Sequence, residues 1–353
     1  MPSALVNGVK LNYVQMAAPD VGPQEDLVMV HGLATNMAFW YFHYAAVFAR
    51  RYRVTVYDLR GHGRSAMPAD GYTPDNMAQD LEGLLDHLAI QRAHFVAHSF
   101  GGVITLKLAT VAPEFIASLV LADTQISVAR GKAGQVWDYG AGMQRLFDEA
   151  GVKIDTRDPY FGYRLLTEVA RMQVNNEAVP TSLDKLVGPL LANISTKTAT
   201  QWLRLMESTS AERDLMGKDG LSLESLRAMH FPILAMYGDN SQSRLTGEEL
   251  LQVWPHAEFR RVRDAGHFFP SSRPAEVIRA CSQFWNGDFA LLAPHRTGEA
   301  DRHFRSDRVF QVADGWYCWT REAGPLGPFV SREDASEQLD SYISTLGELR
   351  PAE

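Results

Sequence analysis

A chain of 353 residues with 46% hydrophobic content is long enough for one large α/β domain and an accessory piece around a sizeable core. Its formal net charge of −8 argues against the basic face that nucleic acid or an anionic membrane would need, so neither is an expected partner. Cys281 and Cys318 lie in separate regions without metal or redox spacing, and no segment reaches the roughly 18 apolar residues of a membrane span. With no basic stretch and apolar run at the amino terminus, the expectation is a cytoplasmic protein without a disulfide framework.

Asn7-Gly8 between two alternating runs, Ala4–Val6 and Val9–Val14, predicts a hairpin, which starts the sheet with an antiparallel edge. Leu27–Val30 is a continuously apolar strand of the kind buried on both faces of a parallel sheet, and it runs into His31-Gly32-Leu33. An aromatic helix follows from Phe39 to Phe48, then a strand Val54–Tyr57 ending in Asp58-Leu59-Arg60-Gly61-His62-Gly63-Arg64-Ser65. Thr73-Pro74 caps a helix with apolar residues at Met77, Leu81, Leu84, Leu85 and Leu88. His94 to Ile104 passes from strand to helix through a sharp small-x-Ser-x-Gly-Gly bend at Ser99, and Leu119–Ala122 is another strand, ending at Asp123.

Up to this point strands and helices alternate at the βαβ rhythm of a doubly wound, mostly parallel sheet. From 124 to 230 the pattern is helical, with aromatic and methionine residues such as Trp137, Tyr139, Met143, Trp202 and Met206, and strands resume at Ile233. The expected organisation is therefore a core of residues 1–123 and 231–290, an inserted helical cap at 124–230, a polar linker at 291–306 and a small α+β module at 307–353. That module reads as a hairpin of Arg308–Val312 and Trp316–Thr320 turning at Asp314-Gly315, an edge strand near Gly327–Val330, and a last helix to about Leu346 opened by a capping box at Ser331 and Asp334. At this size it is expected to dock on the core or to self-associate.

The chemistry-bearing residues follow from what a weak nucleophile needs. A serine hydroxyl must have a neighbouring base and donors for an oxyanion, and Ser99 in a strand–turn–helix bend is the candidate nucleophile. The late loop Asp264-Ala265-Gly266-His267 supplies an imidazole able to reach over it. His31, His62, His94 and His98 read as structural, and the Asp58–Ser65 segment as a turn braced by Arg60 and Arg64. Among the carboxylates at carboxyl strand ends, Asp123 and Asp239 are the two candidate acids, and the one not used would cap a turn.

In their order and placement, His31-Gly32, the Asp58–Ser65 turn, the Ser99 bend and Gly266-His267 resemble the α/β-hydrolase fold, in its capped esterase, lactonase and thioesterase branch, over roughly residues 3 to 287. Ala97 stands where that family usually has a first glycine. The resemblance implies Ser99 as nucleophile, His267 as base, and the backbone amides of Leu33 and Phe100 as the oxyanion hole. The family's commoner acid follows Gly-x-x-Asp, but Gly238-Asp239-Asn240-Ser241 has serine there. Asp123 is favoured over Asp239, since some branches take the acid from the strand after the bend and Asp239 lies two residues early in its loop. Phe39, Trp40 and His98 are candidates to line a substrate pocket.

The implied activity is hydrolysis of an acyl ester, lactone or thioester of a small, largely apolar substrate through an acyl-enzyme. An acyltransferase, a thioesterase releasing a carrier-borne chain, carbon–carbon bond hydrolysis and a non-catalytic ligand-binding homologue are the alternatives. No dinucleotide or phosphate-loop motif is present, so no cofactor or metal is expected. The carboxyl-terminal module resembles a small bacterial module of unassigned function.

Overall fold

Hydrophobic alternation builds the sheet and decides which side chains face each of its two layers. The computed structural model describes residues 2–18, 24–128, 140–158, 160–181, 183, 194–241, 243–285, 309–312, 315–320, 324–329, 331, 333–334 and 336–338, with backbone alone at 140–142 and 309–329. Asn7 (φ 49°) and Gly8 (φ 76°) make a two-residue turn joining β1 (Ser3–Val6) to β2 (Val9–Met16). β2 runs antiparallel to β4 (Tyr52–Tyr57). The other core strands, β3 (Glu25–Val30), β5 (Ala93–His98), β6 (Ile116–Ala122), β7 (Ile233–Gly238) and β8 (Glu258–Val262), are parallel, and the spatial order is β1-β2-β4-β3-β5-β6-β7-β8.

In β3, Val28 and Val30 belong to one core while Leu27 and Met29 belong to the other; in β5, Phe95 and Ala97 oppose Val96. A strand buried on both faces has to be apolar throughout, which is why these runs are continuous. The first face is covered by the helices Pro74–His87 and Phe100–Val111, the second by the helix over 38–48 and by Pro274–Phe284. The helix over 38–48 contains a π-turn at Tyr41–Ala45. Leu81, Leu84 and Leu85 of the first helix are fully buried, which contributes about 1.5–3 kcal/mol each relative to an exposed side chain.

Chain order fixes where a site can form. β3 has β4 on one side and β5 on the other, so the connections leave in opposite directions and open a crevice at its carboxyl end. The neighbours β3, β5, β6, β7 and β8 then deliver the segments beginning at His31, Ser99, Asp123, Asp239 and Arg263 to one edge.

Between β6 and β7 the described elements are helices: Gly140–Glu149, Phe161–Asn175, Thr196–Ser208, Ala211–Leu215 and Leu223–Arg227. Trp137, Tyr139 and the stretch 184–193 lie outside the described residues. Thr196–Ser208 rests on the turn after β4: Gln201 Nε2 donates to the Gly63 carbonyl at 3.1 Å, and a Cβ on Gly61 would meet the Leu205 side chain at 2.6 Å. Tyr72 N donates to Asp214 Oδ2 at 3.1 Å, which ties the insertion to the core, and Ser127 N donates to Asp219 Oδ2 at 2.6 Å, which joins the two ends of the insertion to each other.

The carboxyl-terminal strands β9 (Val309–Val312), β10 (Gly315–Thr320) and β11 (Gly324–Phe329) form a separate antiparallel sheet, with β9 close to β2. The expected edge strand is thus longer and begins earlier. Ser331 and Asp334 do form the reciprocal capping bonds, both 3.1 Å. Asp314 in the expected turn, the linker 291–306 and the end of the last helix lie outside the described residues.

Candidate active site

Ser99 sits between β5 and the helix Phe100–Val111 with φ 55° and ψ −123°, a region costly for any residue with a Cβ. Packing forces this bend. A Cβ on Gly101 would lie 2.6 Å from the carbonyls of Val30 and His31, and one on Gly102 would collide with the Thr124 side chain. The first helical turn can therefore pass between β3 and β6 only because these two residues are glycines. The Ser99 amide donates to Ala122 O at 2.9 Å, which extends the β5–β6 ladder one residue and pins the backbone at the bend.

Asp123 follows β6 with a second left-handed backbone, φ 55°, tolerated better by aspartate than by most residues. Its amide donates to Met236 O at 2.8 Å, and its side chain is wholly buried. Oδ1 accepts the Gly238 amide at 3.0 Å; Oδ2 accepts the His267 ring at 2.7 Å and the Ser241 hydroxyl. A carboxylate can only accept, so His267 Nδ1 carries the hydrogen and Nε2 is left with a lone pair. That Nε2 lies 3.0 Å from Ser99 Oγ. The structure thus brings together Ser99, His267 and Asp123.

It does not bring Asp239 to them. Asp239 Oδ1 receives the Arg261 guanidinium at 2.8 Å on a partly exposed rim, and its amide donates to Val262 O. The structure thus places the alternative acid away from the imidazole, and the reason is register: β7 ends at Gly238, so the next residue points along β8 rather than over β6. Ser241, two residues on, is the one that turns inward.

The turn after β3 lies against Ser99. A Cβ on Gly32 would stand 2.9 Å from Ser99 Cβ, which leaves room for backbone only and sets the Leu33 amide beside the bend. Phe100 supplies the first amide of a helix, with no helical acceptor of its own.

Two neutral histidines fix that turn. His31 Nδ1 donates to Gly32 O at 2.7 Å and its Nε2 accepts Leu59 N at 3.1 Å; His62 Nδ1 donates to Arg60 O at 2.9 Å and its Nε2 accepts Ala34 N at 3.3 Å. Asp58 accepts amides from Met37 at 2.8 Å and Arg64 at 2.9 Å and the Asn12 side chain at 2.7 Å. Arg60 holds the turn to the helix Pro74–His87 by a buried two-point pair with Asp80, both bonds 2.6 Å. Arg64 adds its backbone amide to the same turn, and the bracing expected of Arg60 is the pair with Asp80.

Burial lowers His31 and His62 to about 4 from the ordinary 6.5, and carries His98 well below it. The unfolded chain binds these protons more readily, so the stability they confer is complete above pH ~6.5 and lost as the pH falls toward 4. Asp58, raised by burial, acts in the opposite sense, one group against three. The melting temperature is expected to fall between about pH 7.5 and about pH 5; a melt by circular dichroism that stays flat or rises over that range contradicts the assignment of neutral, buried rings.

Of the residues expected to line a pocket, Trp40 and His98 are 0% and 1% exposed and belong to the interior beneath the site. Phe39, half-buried, stacks on the His98 ring at 4.7 Å and covers it, which is why only Phe39 keeps surface toward the site. His98 Nε2 donates to the His267 carbonyl at 2.9 Å and so ties the imidazole's own loop to β5. Tyr44 OH does the same for Pro270, at 2.6 Å. Neither tie was legible in the sequence, because each joins segments far apart along the chain. No group of side chains able to hold a metal occurs among the described residues.

The alpha/beta hydrolase family profile matches residues 27–280, and residues 295–348 match a family described only as a domain of unknown function (DUF6316). The chain is 38% identical over 118 residues to the dihydrolipoyllysine-residue acetyltransferase component of an acetoin cleaving system from Pseudomonas putida, covering 33% of this chain and 31% of that protein. It is 35% identical over 127 residues to 3-oxoadipate enol-lactonase 2 of Acinetobacter baylyi, covering 36% of this chain and 46% of that one, so the matches span less than half of either relative. Among solved structures, the enol-lactonase from Burkholderia xenovorans LB400 superposes with a TM-score of 0.55 at 23% identity, covering 81% of this chain and all of that one, which is a likeness of fold. With the profile matched over well more than half its length, the chain belongs to the alpha/beta hydrolase family.

Proposed function

We propose that this protein is a serine hydrolase that cleaves an acyl ester, lactone or thioester of a small, largely apolar substrate through an acyl-enzyme. The observation that carries the reading is the continuous relay from Asp123 through His267 to Ser99, with contacts of 2.7 and 3.0 Å, at a strained strand–helix bend. Ser99 Oγ attacks the carbonyl carbon while His267 Nε2 takes its proton, and Asp123 steadies the imidazolium. The Leu33 and Phe100 amides receive the oxyanion, and His267 returns the proton to the leaving group. Water, activated by the same nitrogen, then releases the acid. Uncharged flanks support an apolar acyl group: the Phe268 ring lies 5.1 Å from the His267 ring, and Phe39 6.5 Å from Phe268.

A panel of nitrophenyl esters, lactones and acyl-thioesters of increasing chain length tests the reading. Turnover of short apolar acyl substrates, with an initial burst of nitrophenol equal to the enzyme concentration, is expected. Absence of hydrolysis across the whole panel by folded protein would contradict it.

A further inference from the structure

We propose that Ser241 is the positioning residue of the acid, holding the Asp123 carboxylate in the plane in which it meets His267. The inference rests on the reading of Ser99, His267 and Asp123 given above and deepens it. Asp123 is wholly buried, and the donors recorded on its carboxylate are the Gly238 amide, the His267 ring and the Ser241 hydroxyl, two of the three coming from the loop 238–241. A buried carboxylate on a left-handed backbone has few other ways to hold its rotamer. Two bonds to one oxygen and one to the other fix the plane in which Oδ2 faces His267 Nδ1.

The direction of the Ser241 bond is also fixed. Its Oγ accepts the Ser243 amide at 3.1 Å, which occupies a lone pair and leaves the hydroxyl hydrogen for Asp123. Ser241 is itself 3% exposed and held by its own amide, which donates to Gly238 O at 3.0 Å. Such a hydroxyl is a rigid donor with no role in the covalent steps: it transfers no proton and touches no substrate.

Two variants test this with a short nitrophenyl ester. S241A is expected to lower kcat about tenfold to a hundredfold, the size of one hydrogen bond to an ionised group, with KM changed less than about twofold. A donor that merely stabilised the loop would lower the melting temperature and leave kcat alone. The second variant, S241C, keeps the bulk at residue 241 but offers only a weak S–H donor, and is expected to lower kcat in the same direction with the melting temperature within a few degrees of wild type.

Wild-type kcat in S241A overturns the proposal; should S241A fail to fold, wild-type kcat in S241C overturns it. The underlying reading fails separately, by retention of turnover in S99A. Loss of turnover in S99A beside wild-type kcat in S241A sinks only the role of Ser241.

Discussion

S99A is expected to lower kcat on a nitrophenyl ester by roughly 10⁵-fold to 10⁶-fold while the protein keeps its melting temperature within a few degrees. The size follows from what is removed. Without the hydroxyl no acyl-enzyme forms, and what remains is binding and whatever the two amides do for attack by water. The fold should survive because Ser99 bonds through its backbone to Ala122, and its side chain's recorded partner is His267, itself partly exposed. Strain should even ease slightly in a glycine variant, since φ 55° costs a residue with a Cβ on the order of 1 kcal/mol or more. S99G is then expected to be as inactive as S99A but no less stable, measured by thermal melts on the same preparations. Turnover within about tenfold of wild type in either variant would remove Ser99 from the chemistry.

D123N is expected to lower kcat by about 10⁴-fold, and D239N by less than about twofold. An amide at residue 123 can offer His267 an N–H where the ring needs an acceptor, which favours the tautomer with its hydrogen on Nε2 and points that hydrogen at Ser99. Asp239 by contrast makes a rim pair with Arg261, worth about 0.2–1 kcal/mol at most, and its loss leaves β6 and the imidazole where they are. Kinetics on the two variants side by side decide between the acids; the reverse order of losses would contradict the geometry.

The fold was legible because it depends on local pattern. Asn7-Gly8, the doubly apolar strands and the glycines around Ser99 each state a backbone requirement that the sequence cannot hide. Ser99 and His267 were legible as candidates for the same reason, as each belongs to a short segment with its own geometry. What lay beyond reach was contact across segments. Asp123 and Asp239 each follow an apolar strand, and only the relative register of β6, β7 and β8 separates them.

Residue types alone would also have misled. At the opposite edge of the sheet, Ser118 Oγ lies 2.7 Å from His94 Nδ1, and His94 Nε2 lies 3.5 Å from Glu25, a second serine–histidine–carboxylate series. Ser118 is buried, accepts the Trp285 indole at 2.9 Å, and sits within β6 just past a register shift against β5. Ser118 has no left-handed bend like that at Ser99, and the trio packs under Trp285 at the amino-terminal edge. Ser241 gave a faint signal, a serine where the family more often has aspartate, but its meaning needed the position of Asp123.

Mass spectrometry of the intact protein after treatment with a fluorophosphonate, followed by peptide mapping, tests the central claim most directly. The account predicts a single adduct on Ser99, formed by the wild-type protein and lost in H267A, because only a hydroxyl with a neighbouring base is activated. An adduct elsewhere, or equal labelling of Ser99 in H267A, or none in folded wild-type protein, would contradict it.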